Sequence, residues 1–386
     1  MYKIIKSLKS VISLIIINLL IFLNKIILKK SKIIFFYFPV KSDPLSIFEL
    51  IKKLEKEKKI FVIAGYNYGS KNEIEKLPNS FFLDVGYLGL IYNLDIFISN
   101  YVVYKYPNSK SKIYINHDIY DTPMVDVAEE DGLIESLISC NYIFLSSDIQ
   151  INLLRNKIDN YVRKKKLVNK TKLINTGYLK LDYVDKEIKN MTIERNSILL
   201  APTLSSMLSS FNLSDYLIDL IDEILKNNNL NIIYRPHPRD LYDLRLKEKV
   251  DHIDEIFSSN EKFFIDKNSS YIESYSKSQF LITDFSGTAY TYAFSTLNPV
   301  IFFSPNEELL LNNNNNKNLY YFKDRDKIGC VVESLSVLKN KINYTDVNYN
   351  KFEKNIFDLR NLRIKNFNNA LQQSTLEINR ILNIKE

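Results

Sequence analysis

Three short stretches of this chain carry residue types able to do chemistry. The first, Thr283-Asp-Phe-Ser-Gly-Thr288, follows the apolar run 280–282 and opens a helix-like segment. Backbone N–H groups at a helix start are unpaired and carry the positive end of the helix dipole, so a phosphate can rest there. Gly287 leaves room for close approach, and Ser286 and Thr288 add hydroxyl donors. A plain helix cap uses the same residue types. The second stretch is Tyr234-Arg-Pro-His-Pro-Arg239, directly after a strand-like run. Pro236 and Pro238 stiffen the backbone around His237, and Arg235 and Arg239 set two cations beside it, a grouping suited to a pyrophosphate. The plain alternative is a stiff turn with solvated arginines. The third is Ile115-Asn-His-Asp-Ile-Tyr-Asp-Thr-Pro123. An imidazole there can take a proton from a hydroxyl, and Asp118 or Asp121 can orient it. Thr122 and Pro123 read as the N-cap and first position of the next helix. A buried structural role for His117 is the plain alternative. His252 lies in the charged run 247–255 and reads as surface.

Other chemistries are disfavoured. A nucleophile elbow, a P-loop, a GxGxxG fingerprint and a Cys/His pair are all missing from the sequence. With 8 glycines in 386 residues, phosphate binding falls to helix starts and cations. A metal held by His117 and Asp121 would have one histidine and scattered acids, a poor ligand set, so no metal or other cofactor is expected. Cys140 and Cys330 have no metal-like spacing and point to a reducing compartment without structural zinc. The net charge is +7, but the cations are scattered with no aromatic-interleaved basic stripe, which argues against nucleic acid as partner.

The elements that must position these residues alternate along the chain. With 46% hydrophobic and 25% charged residues the chain is globular and long enough for two domains. Strand-like runs fall at 33–38, 60–64, 81–85, 96–99, 113–116, 142–145 and 173–176, and residues 45–59 have helical spacing. Residues 186–196 read as a linker. A second unit follows, with strands at 197–201, 231–234, 263–265, 280–283 and 300–303, the last closing the sheet. Its helices are expected at 216–226 and after a capping box formed by Ser270 and Glu273. Residues 312–316 form an asparagine tract read as a solvated, disordered loop. The tail 349–384 reads as helical, packing back on both domains. Such alternation implies parallel sheets covered on both faces, with ligands at the carboxyl ends of the strands. The expected division is 1–30, 31–188, 189–345 and 346–386.

The first of these segments is distinctive. Lys3, Lys6 and Lys9 precede an apolar run at 11–23, and Lys25, Lys29 and Lys30 follow it. A comfortable membrane span takes about 20 residues, and a signal peptide would end at small residues. An interfacial helix with its lysines on anionic headgroups is therefore expected, with the body on the cytoplasmic side. A buried first helix is the plain alternative.

Taken in order, these blocks resemble the CDP-glycerol glycerophosphotransferase family, which includes teichoic acid primases and polymerases. Asn116-His-Asp with Thr122-Pro123 resembles its His-Gly-Thr-Pro block, and Gly177-Tyr178 with Asp182 its Gly-Tyr-Pro-Arg-Asn-Asp turn. Ala201-Pro-Thr203 and Arg235-Pro-His-Pro238 resemble its Ala-Pro-Thr and Pro-His-Pro blocks. Thr283-Asp-Phe-Ser286 with Asn298-Pro299 resembles its Thr-Asp-Tyr-Ser block and downstream proline. The resemblance implies a GT-B fold: two Rossmann-like domains facing a cleft, the second holding the nucleotide donor, here with an apolar N-terminal membrane-associating helix. It implies His117 as base, and Thr203, Arg235, His237, Ser286, Gly287 and Thr288 around the donor. Asp284 is expected to fix its loop and Glu273 to meet the ribose. The chain departs from the family at Asp118, at Leu179-Lys180-Leu181, at Ser205 (near where an arginine follows the family's Ala-Pro-Thr block) and at Thr291 (where an aspartate stands).

The expected activity is transfer of a glycerol-phosphate-type or glycosyl group from a nucleotide-activated, CDP-type donor. The acceptor would be a hydroxyl of a lipid-linked or polymeric surface glycan, at the cytoplasmic membrane face. Alternatives are a nucleotide-sugar glycosyltransferase of capsule synthesis, a non-catalytic nucleotide-sugar-binding subunit of an assembly complex and, weakest, a nucleotide-sugar epimerase.

Overall fold

The computed structural model describes residues 2–27, 32–39, 45–67, 77, 79–121, 127–207, 211–227 and 229–384. Thr122 and Pro123, expected to start a helix, and Lys29 and Lys30 lie outside the described residues. The chain divides into two compact units, one comprising 1–117, 126–183 and 364–386, the other 118–125 and 184–363.

In the first unit, seven described strands form a wholly parallel sheet of order β3-β2-β1-β4-β5-β6-β7. They are β1 (Lys32–Phe38), β2 (Ile60–Tyr66), β3 (Ser80–Phe82), β4 (Leu94–Ser99), β5 (Ser109–Ile115), β6 (Tyr142–Leu145) and β7 (Lys172–Asn175). The unbroken apolar run of β1 fits a central strand buried on both faces, and Ile33 through Phe38 are all buried. Burying each such side chain contributes roughly 1.5–3 kcal/mol.

The second unit repeats the plan with six described parallel strands in the order β10-β9-β8-β11-β12-β13. These are β8 (Ser197–Leu200), β9 (Asn231–Tyr234), β10 (Phe263–Ile265), β11 (Ser278–Thr283), β12 (Val300–Phe303) and β13 (Gly329–Val332). The helix Leu217–Asn227 buries Leu217, Leu220, Ile221 and Ile224, the spacing of a single helical face.

Several expectations need correction. The strand at 81–85 ends at Phe82, because Asp84 accepts the Gly86 N–H and starts a 3-10 turn. The helix from 45 stops at Glu55. The helix Leu179–Lys189 runs into the expected linker. The second sheet ends on β13 rather than β12. That strand has only four residues, and a Cβ at Gly329 would lie 1.6 Å from the Val300 carbonyl oxygen. No capping box forms at 270–273, since the helix Ile272–Lys277 has Tyr271 at its N-cap without a side-chain bond. The asparagine tract is ordered in part as a 3-10 turn, Asn313–Asn318, with Asn316 buried and donating to the Leu310 carbonyl. The tail forms two helices, Tyr349–Arg363 in the second unit and Ala370–Ile381 in the first.

The N-terminal helix, Tyr2–Phe22 with a π-helical continuation Leu23–Ile27, is inside out. Its polar side faces the first unit. Ser10 Oγ accepts the Asp84 N–H, and Asn18 bonds both the Leu90 carbonyl and the Tyr92 N–H. Ile17 and Ile21 are buried on that side, while Ile5, Leu8, Ile12, Ile15, Ile16, Leu19 and Phe22 point outward, exposed. The apolar helix spans Ile5–Ile26, long enough by length and composition to cross a membrane, and longer than the run counted from sequence.

Candidate active site

The strand order of the second unit sets three chemically notable loops side by side. β9 leads into Arg235–His237, β8 into Ala201-Pro-Thr203 and β11 into Asp284–Thr288, and these strands are neighbours in the sequence β9-β8-β11. Between β8 and β11 the strand order changes direction. At such a switch point the loops at the carboxyl edge diverge and leave room for a ligand.

Asp284 braces this edge. Its buried carboxylate accepts the N–H groups of Thr203 at 3.0 Å and Leu213 at 3.1 Å, tying the β11 loop to the β8 loop. Burial raises its pKa against those hydrogen bonds. The helix Thr288–Thr296 behind it is buried from Ala289 onward, whereas Ser286, Gly287 and Thr288 at its tip are half-buried. Ser286 Oγ accepts the Thr288 N–H, and the Ser286 carbonyl is fixed by the Tyr321 hydroxyl at 3.0 Å. Among the described residues, the Ser286 and Gly287 N–H groups have no acceptor. Gly287 sits at φ −59°, where any residue is unstrained.

In the loop after β9, His237 Nδ1 accepts the Arg239 N–H at 3.2 Å and caps the turn Pro238–Leu241. Burial, then the Arg239 charge, pushes its pKa down to about 4. It is therefore neutral at pH 7, with its proton on Nε2, a hydrogen-bond donor. Arg235 pairs with Asp266 at 2.5 Å, donates to the Ser269 and Ser270 carbonyls and lies over the Tyr271 ring. Its guanidinium thus organises the loop 266–271. Ser205, near where the resemblance places an arginine, donates its N–H and hydroxyl to buried Asp240. Glu273 pairs with Lys277 on an exposed helix face.

In the first unit, His117 follows β5 directly and is exposed. The Tyr101 ring stacks on its imidazole at 5.0 Å between centroids, and the Tyr114 hydroxyl lies 3.1 Å from Nδ1. The Tyr178 hydroxyl donates to its carbonyl at 2.6 Å. Sequence reasoning missed all three tyrosines in this role. The available signal for Tyr114 was its position two residues before Asn116, on the same face of β5.

The following residues belong to the second unit. Asp118 accepts the N–H of Ile119, and its charge contributes to raising the Tyr321 pKa, so it lies within electrostatic reach of the hydroxyl that fixes Ser286. Asp121 accepts the N–H groups of Tyr320 and Tyr321 at 2.7 Å each. Burial nonetheless raises its pKa to about 6, with Asp118 adding repulsion. Tyr120 stacks on Tyr290 at 3.9 Å and donates to Asp324, which Arg363 also holds. Both oxygens of Asp121 thus accept from amides, while Tyr101 and Tyr114 contact the His117 ring. Among the described residues, no three His, Cys, Asp or Glu side chains converge as a metal site requires.

No protein-family profile matches the chain. A curated relative, the minor teichoic acid biosynthesis protein GgaB of Bacillus subtilis (strain 168), is 28% identical over 160 residues, 40% of this chain. The match spans 16% of that relative's length. Among solved structures, the wall teichoic acid polymerase TagF superposes at TM-score 0.61 with 15% identity, over 100% of this chain and 99% of the other. Staphylococcus aureus MnaA, solved with UDP, gives TM-score 0.60 at 12% identity, over 92% of this chain and 98% of the other. Methanocaldococcus jannaschii UDP-GlcNAc 2-epimerase, solved with UDP-GlcNAc and UDP, gives 0.57 at 15%, over 92% and 100%. Likeness at this identity is a likeness of fold: two Rossmann-like units with parallel sheets, of the GT-B type, preceded by an apolar helix.

Proposed function

We propose that the protein transfers a glycerol-phosphate-type group from a CDP-linked donor to a hydroxyl of a lipid-linked or polymeric surface glycan. In this reading the donor diphosphate lies on the Ser286–Thr288 helix tip, beside Thr203 and the Nε2–H of His237. His117 removes the acceptor proton, the acceptor oxygen bonds to the β-phosphorus, and the bond from that phosphorus to the bridging oxygen breaks, releasing CMP. The observation that carries the reading is the placement of three motif loops on adjacent strands at a switch point, braced by Asp284. The match of TagF to the whole chain, and the teichoic acid assignment of GgaB, agree with it. Neutral His237 and the amide tip would stabilise the leaving group as dipoles, while Arg235 shapes the wall. Asp118 and Asp121 are proposed as residues that hold the His117 loop, and Glu273 as a ribose contact.

The outward apolar face of the N-terminal helix supports docking on the cytoplasmic face of the membrane. Its polar face is bonded to the first unit along its length, which favours lying in the interface over spanning the bilayer.

Ser205 favours a second donor class. With its polar atoms on Asp240 and no arginine at that position, the contact expected for a transferred phosphate is altered. Transfer of a glycosyl group from a nucleotide sugar is that second reading. Incubation with labelled CDP-glycerol, CMP-sugars and UDP-sugars in the presence of membrane acceptors separates the two. Consumption of CDP-glycerol, reduced by a factor of about 10² or more in His117→Gln, is expected. Unimpaired turnover by that variant contradicts the proposed base.

A further inference from the structure

The Ser286–Gly287 peptide is held from behind. Among the described residues no peptide bond is cis. In a planar trans unit the carbonyl of one residue and the N–H of the next point in opposite directions, so whatever fixes the Ser286 carbonyl aims the Gly287 N–H. Two groups fix it: the Ala289 N–H at 3.1 Å, from the same turn, and the Tyr321 hydroxyl at 3.0 Å, from a distant segment. The Asp284 carbonyl also faces that hydroxyl, but at 3.5 Å, so the bond to Ser286 is the stronger. A hydrogen bond accepted at the carbonyl oxygen polarises the whole amide and makes its N–H a better donor. Tyr321 is itself clamped. It is wholly buried in the four-residue helix Tyr320–Lys323. Asp121 accepts its N–H and that of Tyr320, donors that a helix start leaves unpaired. Tyr120 donates to Asp324 at the other end of this helix. Tyr290, in the helix that begins at the tip, donates to the Tyr321 carbonyl at 2.5 Å, and the Tyr120 ring stacks on Tyr290. Two consecutive residues, Tyr120 and Asp121, thus brace both ends of the helix that carries Tyr321.

We propose that Tyr321 is a positioning residue for the donor diphosphate: its hydroxyl aims and polarises the Gly287 amide, and Tyr120 and Asp121 hold it in place. Tyr321 acts through that peptide rather than on a reactant. The inference rests on the function proposed above, because it takes the tip to be where the phosphate lies.

The full chain labelled with 15N-glycine has 8 glycine amides to observe, and the Gly287 signal is identified by its loss in Gly287→Ala. CDP is the probe, and in the parent it is expected to move that signal. Tyr321→Phe, which removes one oxygen, is expected to move the Gly287 signal already in the free protein. It should also weaken CDP binding about three- to tenfold, the worth of one hydrogen bond. Tyr292→Phe is the control for mere loss of a buried hydroxyl, since Tyr292 lies in the same helix but bonds the Ser278 carbonyl. It is expected to bind CDP as the parent does. An unmoved Gly287 signal or parent affinity in Tyr321→Phe overturns the inference, as does an equal loss of affinity in Tyr292→Phe. Should Tyr321→Phe not fold, Asp121→Asn, which keeps one of the two acceptor oxygens, is expected to weaken CDP binding in the same direction, and parent affinity there overturns the inference too. A parent chain whose Gly287 signal ignores CDP overturns the donor-site reading, and the inference with it.

Discussion

At the scale of residues, His237 makes a pH-dependent prediction. Its folded pKa of about 4 lies below the ordinary 6.5, so between those values the unfolded chain binds a proton that the folded chain refuses. Its contribution is therefore fully retained above about pH 6.5 and is lost as pH falls toward 4. The loss reaches on the order of 2–3 kcal/mol by pH 4.5. His237→Asn keeps a capping oxygen without a titrating ring. Urea unfolding at pH 7.5 and 4.5 is expected to show a smaller drop for the variant, and equal drops would refute the burial argument. Much of this site was legible in the sequence. His117, His237 and Ser286–Thr288 stand out by residue type and by their place after apolar runs. What could not be read was which partners each group would meet. Arg235 reads as a free cation until Asp266, thirty-one positions on, is folded against it. Asp121 reads as a histidine's carboxylate until its acceptors' partners prove to be amides some 200 residues away.

At the scale of elements, Gly177 shows how a short turn can govern a distant helix. Its φ of +85° suits glycine, and a Cβ there would lie 2.9 Å from the Ala370 Cβ and 3.1 Å from the Asn366 carbonyl oxygen. Nearby Asp182 accepts the N–H groups of Asn368 and Ala370 at 2.8 Å, capping the helix Ala370–Ile381. The block that carries part of the family resemblance is thus occupied here with packing the chain's last helix. Gly177→Ala is expected to destabilise the protein by about 2 kcal/mol or more, from a left-handed Cβ and the close contact together. A thermal midpoint unchanged from the parent would contradict that. Strands such as β6, β9 and β12 match their sequence ranges because unbroken apolar runs between polar turns have one reading in a parallel sheet. β13 escaped because four residues opening on a glycine carry no periodicity. The N-terminal helix gave its character but not its facing, since the Ser and Asn side that bonds inward occupies only part of its circumference. Ile15→Asn and Leu19→Asn are expected to leave the fold unchanged, both side chains being exposed, at 62% and 53%. Each should weaken sedimentation with anionic vesicles about tenfold. Absence of vesicle binding by the parent chain would refute the docking proposal.

At the scale of the whole molecule, two similar units carry distinct chemical equipment on one plan. The first presents an exposed imidazole framed by tyrosines at the end of β5. The second presents a half-buried helix tip whose body is locked in the core, and, two strands away across β8, a neutral histidine. Within the second unit the strand order sets the three motif loops at neighbouring carboxyl ends around the switch point, where a ligand has room. The central claim is that the second unit holds a nucleotide diphosphate on that tip. A crystal structure of the full chain with CDP-glycerol tests it most directly. The account predicts phosphate oxygens within about 3 Å of the Ser286 and Gly287 amides and of His237 Nε2. A diphosphate bound away from the β8–β11 switch point would contradict it.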